Sequence, residues 1–117
     1  MEEHLLSLLR GALSCPVQWG YFSDGETMPR VTIVRVGGRR EHTLSSLGLM
    51  RAAVQIDCWA VEFDDAFTIS RALRAALEGY RGGPVLSTHL TALRDGFSKD
   101  ADAAQRVSLT FALTYRD

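Results

Sequence analysis

An α+β fold, a mostly antiparallel sheet of about four strands with two helices packed on one face, is the architecture this 117-residue sequence predicts. Three observations carry it. Arg51 to Ala60 and Gln105 to Arg116 alternate apolar and polar residues with period two, the pattern of strands with one buried and one open face. Residues 2–13 and 64–80 instead carry apolar residues at helical spacing. The resulting order (helix, one or two strands, strand, helix, strand, strand) contains no internal repeat and no linker, so residues 1–117 read as a single domain.

The first helix places Leu5, Leu9, Ala12 and Leu13 on one stripe, with Glu2 and Glu3 in the first turn, where the helix dipole favours negative charge. It ends near Pro16. Val17 to Phe22 is aromatic and predicts a brief strand, and Ser23-Asp24-Gly25-Glu26 is a turn signal. Arg30 to Val36 is a β-branched run whose alternation is ambiguous, because Val31 and Ile33 claim one face while Val34 and Val36 claim the other. Either its register is irregular or it is covered on both faces. Gly37 to Gly48 is too long for a tight hairpin and too polar for a core strand, which predicts a loop or a protruding ribbon. Segments of that kind are commonly functional.

Arg51 to Ala60 then sends Ala52, Val54, Ile56, Cys58 and Ala60 to one face and Arg51, Ala53, Gln55, Asp57 and Trp59 to the other. The second helix begins around the acidic pair Asp64 and Asp65, carries Ile69, Leu73, Ala76, Leu77 and Tyr80 as its stripe, and stops at Gly79 or Gly82. Val85 to Arg94 is a weaker strand on which Leu86 and Leu90 share a face, and Asp95 to Asp102 is a polar turn. The last strand is the most regular. Val107, Leu109, Phe111, Leu113 and Tyr115 point inward, and Ser108, Thr110, Ala112 and Thr114 point outward. That outward face, rich in Ser, Thr and Gln, is the expected partner surface.

Composition narrows function. Thirteen basic residues against 14 acidic ones give a net charge of -1, which speaks against a protein whose main task is to grip nucleic acid. Lys99 is the only lysine, so the other twelve cations are arginines. Two explanations stay open: charged interfaces that exploit bidentate guanidinium contacts, or a GC-rich genome that favours Arg and Ala codons. Cys15 and Cys58 match no metal or redox spacing, which points to a reducing compartment. The N-terminus is acidic and Arg10 interrupts its apolar run, unlike a secretory signal. No apolar stretch approaches the ~18 residues that span a bilayer, so the expected setting is the cytoplasm, with no membrane partner.

Enzymatic signatures are weak. His4, His42 and His89 share no ligand spacing, and the sequence suggests neither a metal nor a cofactor. Cys58 and Asp57 are neighbours on a strand and therefore point to opposite faces, which makes Cys58 an inert core thiol. The glycine-containing segments around Gly37 and Gly82 do not join a strand to a helix N-terminus, as a phosphate cradle requires.

Val54-Gln55-Ile56-Asp57-Cys58-Trp59-Ala60, followed by the helix from Ser70 to Gly82, resembles the tail-completion (tail-terminator, head-to-tail joining) proteins of long-tailed phages and phage-like gene transfer agents. Leu93-Arg94-Asp95-Gly96-Phe97 and Arg106 to Arg116 look like that family's closing hairpin, and Met1-Glu2-Glu3 with its Leu-rich helix looks like its opening. The ordered set carries the resemblance over nearly the whole chain; Val17 to Arg30 matches least, and the segment Gly37 to Gly48 is individual to this sequence.

The resemblance implies a structural virion protein with no catalytic residues. Such proteins form a ring, commonly six-fold, on the head-proximal end of the tail, where they stop tube polymerisation and join the tail to the head connector. The implied partners are copies of itself in a homohexameric ring, the major tail-tube protein and the head-tail connector protein. DNA would pass through without specific binding, and the chain would work in the host cytoplasm during assembly and afterwards in the particle tail. A closed ring requires two different patches that fit each other. Arg39, Arg40, Glu41 and His42 in the ribbon, and Gln55, Asp57 and Trp59 on the outward strand face, are the expected interface residues. Two alternatives remain at this stage. One is a small intracellular ligand-binding or enzymatic α+β domain built on His89, Asp57 or the N-terminal aromatics. The other is a dimeric adaptor.

Overall fold

The computed structural model describes residues 1–20, 29–40, 49–96 and 105–116, and the side chains of Arg39 and Arg40 are not among what it describes. The elements are α1 (Glu2–Ala12), β1 (Val17–Trp19), β2 (Arg30–Arg40), β3 (Leu49–Ala60), α2 (Phe63–Leu77), β4 (Val85–Gly96) and β5 (Gln105–Arg116). The sheet has five strands in the order β1-β2-β3-β5-β4, one more than the pattern suggested, because the short β1 pairs parallel to β2 while every other pair is antiparallel. Both helices pack on the same side. No helix among the described residues is long and apolar enough to cross a membrane.

The covered face is built from the alternating residues. Val54, Ile56, Cys58 and Ala60 of β3 and Val107, Leu109, Phe111 and Leu113 of β5 are buried beneath Leu5 and Leu9 of α1 and Ala66, Leu73 and Leu77 of α2. Complete burial of an aliphatic or aromatic side chain is worth roughly 1.5–3 kcal/mol, so this single layer supplies most of the stability. Ala12 lies outside it: the stripe of α1 continues through Leu13, and Ala12 is exposed. On α2 the buried stripe is Ala66, Ser70, Leu73 and Leu77, rotated slightly from the expected one, with Ile69 and Ala76 only half-buried. Ser70 is accommodated because its hydroxyl donates to the Phe67 carbonyl at 2.7 Å.

Bulges explain the two strands whose alternation was unclear. The register of β2 shifts between Arg35 and Gly37, so Val36 has no partner on β3 and stands 55% exposed. Before that point Val31 and Ile33 face the core. In β4 the register shifts at Leu86 and again at Thr91, which breaks period two twice in one strand. The predicted loop at Gly37 begins as ribbon, since Gly37 to Arg40 pair in register with Ala53 to Met50. Glu41 to Gly48 lie outside the described residues, as does the turn predicted at Ser23 to Glu26. Asp95 and Gly96 extend β4 instead of opening the polar turn, whose remainder is also outside.

The first turn of α1 is anchored twice, to β2 and to the segment that follows α2. Arg35 donates to the Glu2 carboxylate, tying the start of α1 to β2. At the other side, His4 Nε2 and the Tyr80 hydroxyl are 2.7 Å apart, and the His4 ring lies against Gly83 so closely that a Cβ there would sit 2.6 Å from it. Gly83 has φ +52, so glycine is required for two reasons. Gly79 (φ +74) closes α2, as the sequence predicted, and its N–H donates to the Thr88 carbonyl at 3.0 Å.

Candidate partner-binding face

The opposite side of the sheet carries no helix. Its residues are set by the cross-strand registers, because residues directly opposite one another share a face. At one end Arg30, Trp59 and Arg106 form a row across β2, β3 and β5. The next row is Thr32, Asp57, Ser108 and Arg94, and the third is Val34, Gln55, Thr110 and Ala92. Beyond them lie small side chains, Ala53 and Ala112 with His89, and then Arg51, Thr114 and Ser87.

This face is polar yet structurally ordered. Asp57, only 8% exposed, accepts the hydroxyl of Ser108 and the Gln55 amide, the latter at 3.2 and 3.3 Å to its two oxygens. A carboxylate that has lost most of its water needs such donors, and here neutral neighbours supply them. Trp59 Nε1 donates to Thr32 Oγ1 at 3.0 Å, which ties the indole to the neighbouring strand, and the Arg106 guanidinium lies 5.4 Å from its ring centroid. Where the residues are small the surface dips into an open trough of about 580 Å³, lined by Gly37, Ala53, Ala112, His89 and Thr114. It is an open depression rather than an enclosed ligand cavity.

Catalytic chemistry finds little support in the geometry. Ser108 and Asp57 are bonded, but His89 stands two rows away, beyond Gln55 and Thr110, so these three do not form a nucleophile, base and orienting acid. Among the described residues no group of three or more His, Cys, Asp or Glu side chains could hold a metal. Cys58 is fully buried on the other face, and its pKa is pushed up to about 12 by burial first, then by Cys15 and Asp57, so the thiol is unreactive. Burial likewise raises Cys15.

Sequence comparison identifies the family. The chain matches the family "Tail completion protein gp17" over residues 4–116. It belongs to that family. Members are structural virion proteins. Among solved structures, a chain of the "Virion of native gene transfer agent (GTA) particle" has a similar fold, with a TM-score of 0.59 and 16% identity over 97% of this chain and 85% of that one. At that identity the likeness is one of fold. No curated protein matches in sequence.

Within this tail completion fold the expected interface residues separate into two groups. Gln55, Asp57 and Trp59 are brought together on the bare face, in three successive rows. Arg39 and Arg40 lie at the far end of β2, in register with Arg51 and Met50, and Glu41 and His42 are outside the described residues. Sequence reasoning did not include Thr32, Arg94 and Arg106 among the interface residues. Their faces depend on cross-strand register and on the bulge in β4, which one strand's own pattern does not contain. Arg106 alone was within reach, since it continues the outward parity of β5.

Proposed function

We propose that this tail completion protein is a ring-forming tail terminator. Copies of the chain, commonly six in this family, assemble on the head-proximal end of a phage or gene-transfer-agent tail. There they stop the tail tube from growing and present the surface that the head connector engages. Its partners are itself, the major tail-tube protein and the connector. DNA passes through the ring without being gripped, in keeping with a net charge of -1. The chain acts in the host cytoplasm during assembly and in the particle tail afterwards, and it is not an enzyme. The observation that carries this reading is the family match spanning residues 4–116; the bare, ordered sheet face gives it a physical means of contacting partners.

Imaging by negative stain of the purified chain mixed with tail tubes tests the reading. Rings capping one end of tubes of uniform length are the expected result, and uncapped tubes of unlimited length would refute it. Arg39→Glu with Arg40→Glu should abolish docking or ring formation while leaving the circular dichroism spectrum unchanged. Normal tails from that double variant would remove the ribbon from the interface.

A further inference from the structure

β4 is an edge strand, and its outer side divides into two halves. Along the first half the chain satisfies its own edge: Thr88 accepts from Gly79, the Leu90 N–H donates to the Glu78 carboxylate at 2.9 Å, and Gly82 and Val85 exchange bonds at 3.0 and 2.9 Å. Past the bulge at Thr91 this covering stops. Ala92, Leu93, Arg94 and Asp95 are all exposed, and among the described residues none has a partner on that outer side. Among the described residues Leu93 is one of the few large apolar side chains left in water, at 42% exposure.

The other edge of the sheet is β1. The Val31 N–H donates to the Pro16 carbonyl and the Gly20 N–H to the Ile33 carbonyl, so in this parallel pair the backbone groups of Val17 and Trp19 point away from β2. Arg10 Nε donates to the Val17 carbonyl at 3.1 Å, and the backbone groups of Trp19 have no partner among the described residues.

The registers put these two open edges at one level. Leu93 stands opposite Leu109, Ile56, Ile33 and Trp19 in turn; Arg94 opposite Ser108, Asp57, Thr32 and Gln18; Asp95 opposite Val107, Cys58, Val31 and Val17. Direction agrees as well. β1, β2 and β5 run one way and β3 and β4 the other. Repeating the subunit head to tail therefore brings β4 antiparallel to β1 of the next copy, the pairing that dominates within the subunit.

We infer that the uncovered end of β4, Ala92 to Asp95, pairs antiparallel with β1 of a second copy and carries the sheet from subunit to subunit. Unpaired edges are templates for strand addition, and here the two halves of a heterologous contact sit on opposite edges of one sheet. The pairing would set Leu93 beside Trp19 on the helix side and Arg94 beside Gln18 on the bare side. Arg94 and Asp95, charged on opposite faces, limit pairing with unrelated strands. This inference rests on the ring reading and names the contact that builds the ring.

Directly opposite residues on paired strands have Cβ atoms about 4.5–5.5 Å apart, close enough for an engineered disulfide after small adjustment. In a Cys15→Ser background, chains carrying Gln18→Cys are mixed with chains carrying Ala92→Cys, Leu93→Cys, Arg94→Cys or Asp95→Cys, at the concentration where native mass spectrometry shows assembly, and then oxidised. Crosslinked dimers are expected from Arg94→Cys, which stands opposite Gln18, fewer from Ala92→Cys, a diagonal neighbour on the same face, and at least tenfold fewer than Arg94→Cys from Leu93→Cys and Asp95→Cys. Crosslinking without this alternation, none from any pair, or efficient crosslinking of Gln18→Cys chains with each other overturns the inference. Leu93→Glu supplies a second probe: loss of assembly with unchanged circular dichroism is expected, and intact rings count against the contact. Rings without crosslinks defeat only this pairing, whereas a wild-type chain that never associates, alone or with tubes, defeats the ring reading too.

Discussion

Two polar groups withdrawn from water show how differently the two faces of the sheet are made. Asp57, on the bare face, is held by Ser108 and Gln55. Thr88, beneath the helices, is fully buried, and its hydroxyl has no partner among the described residues. The covered face is thus held by apolar packing and tolerates an orphan hydroxyl, while on the bare face hydrogen bonds join Asp57 to Ser108 and Gln55, and Trp59 to Thr32. A face that no helix covers cannot depend on packing, so its order must come from polar contacts between neighbouring strands.

The largest effect should come from breaking the covered face. Phe111 is fully buried at the centre of β5, and Phe111→Ala should cost about 3–5 kcal/mol through lost burial and the cavity left behind. Its neighbour Thr110, half-buried on the bare face, should cost less than about 0.5 kcal/mol when changed to Ala. Urea denaturation of the two variants checks this, and similar losses would mean that both faces contribute equally to the fold.

Asp57→Ala should come next, at about 1–3 kcal/mol, because the Ser108 hydroxyl is left buried without its acceptor. Asp57→Asn keeps an acceptor oxygen and should recover more than half of that loss. If Ala and Asn behave alike in thermal unfolding, the network does not order the bare face.

That division between faces also decided what the sequence could disclose. β3 and β5 were legible almost residue by residue, because each runs through a fully covered and a fully bare layer with no interruption, so burial and alternation coincide. β4 was legible only as a weak strand. Its two bulges place Leu86 and Leu90 on no common ladder, and a bulge is a relation between two strands that neither sequence states alone. The bare face was half-legible: Gln55, Asp57 and Trp59 follow from the parity of β3, whereas Arg94 and Thr32 join them only through cross-strand register. The closing of α2 at Gly79 was readable from residue type, but the need for Gly83 was not, since it depends on the His4 ring arriving from the other end of the chain.

The smallest effect should have the opposite sign. Thr88 contributes its backbone carbonyl to Gly79, which any residue would provide, while its hydroxyl is buried without a partner. Valine has nearly the same shape and fills the same space among apolar neighbours without carrying a desolvated hydroxyl into the core. Thr88→Val should therefore stabilise the chain by about 1 kcal/mol, a rise of about 4 °C in Tm for a domain of this size. Calorimetry on the variant measures it directly. A fall in Tm would show that the hydroxyl is satisfied in solution, by a water molecule or by a shift of β4, and that the covered face also relies on polar contacts. A rise for Thr88→Val together with a loss for Asp57→Ala would fix the two faces as different in kind: one a packed core, the other a surface ordered by hydrogen bonds.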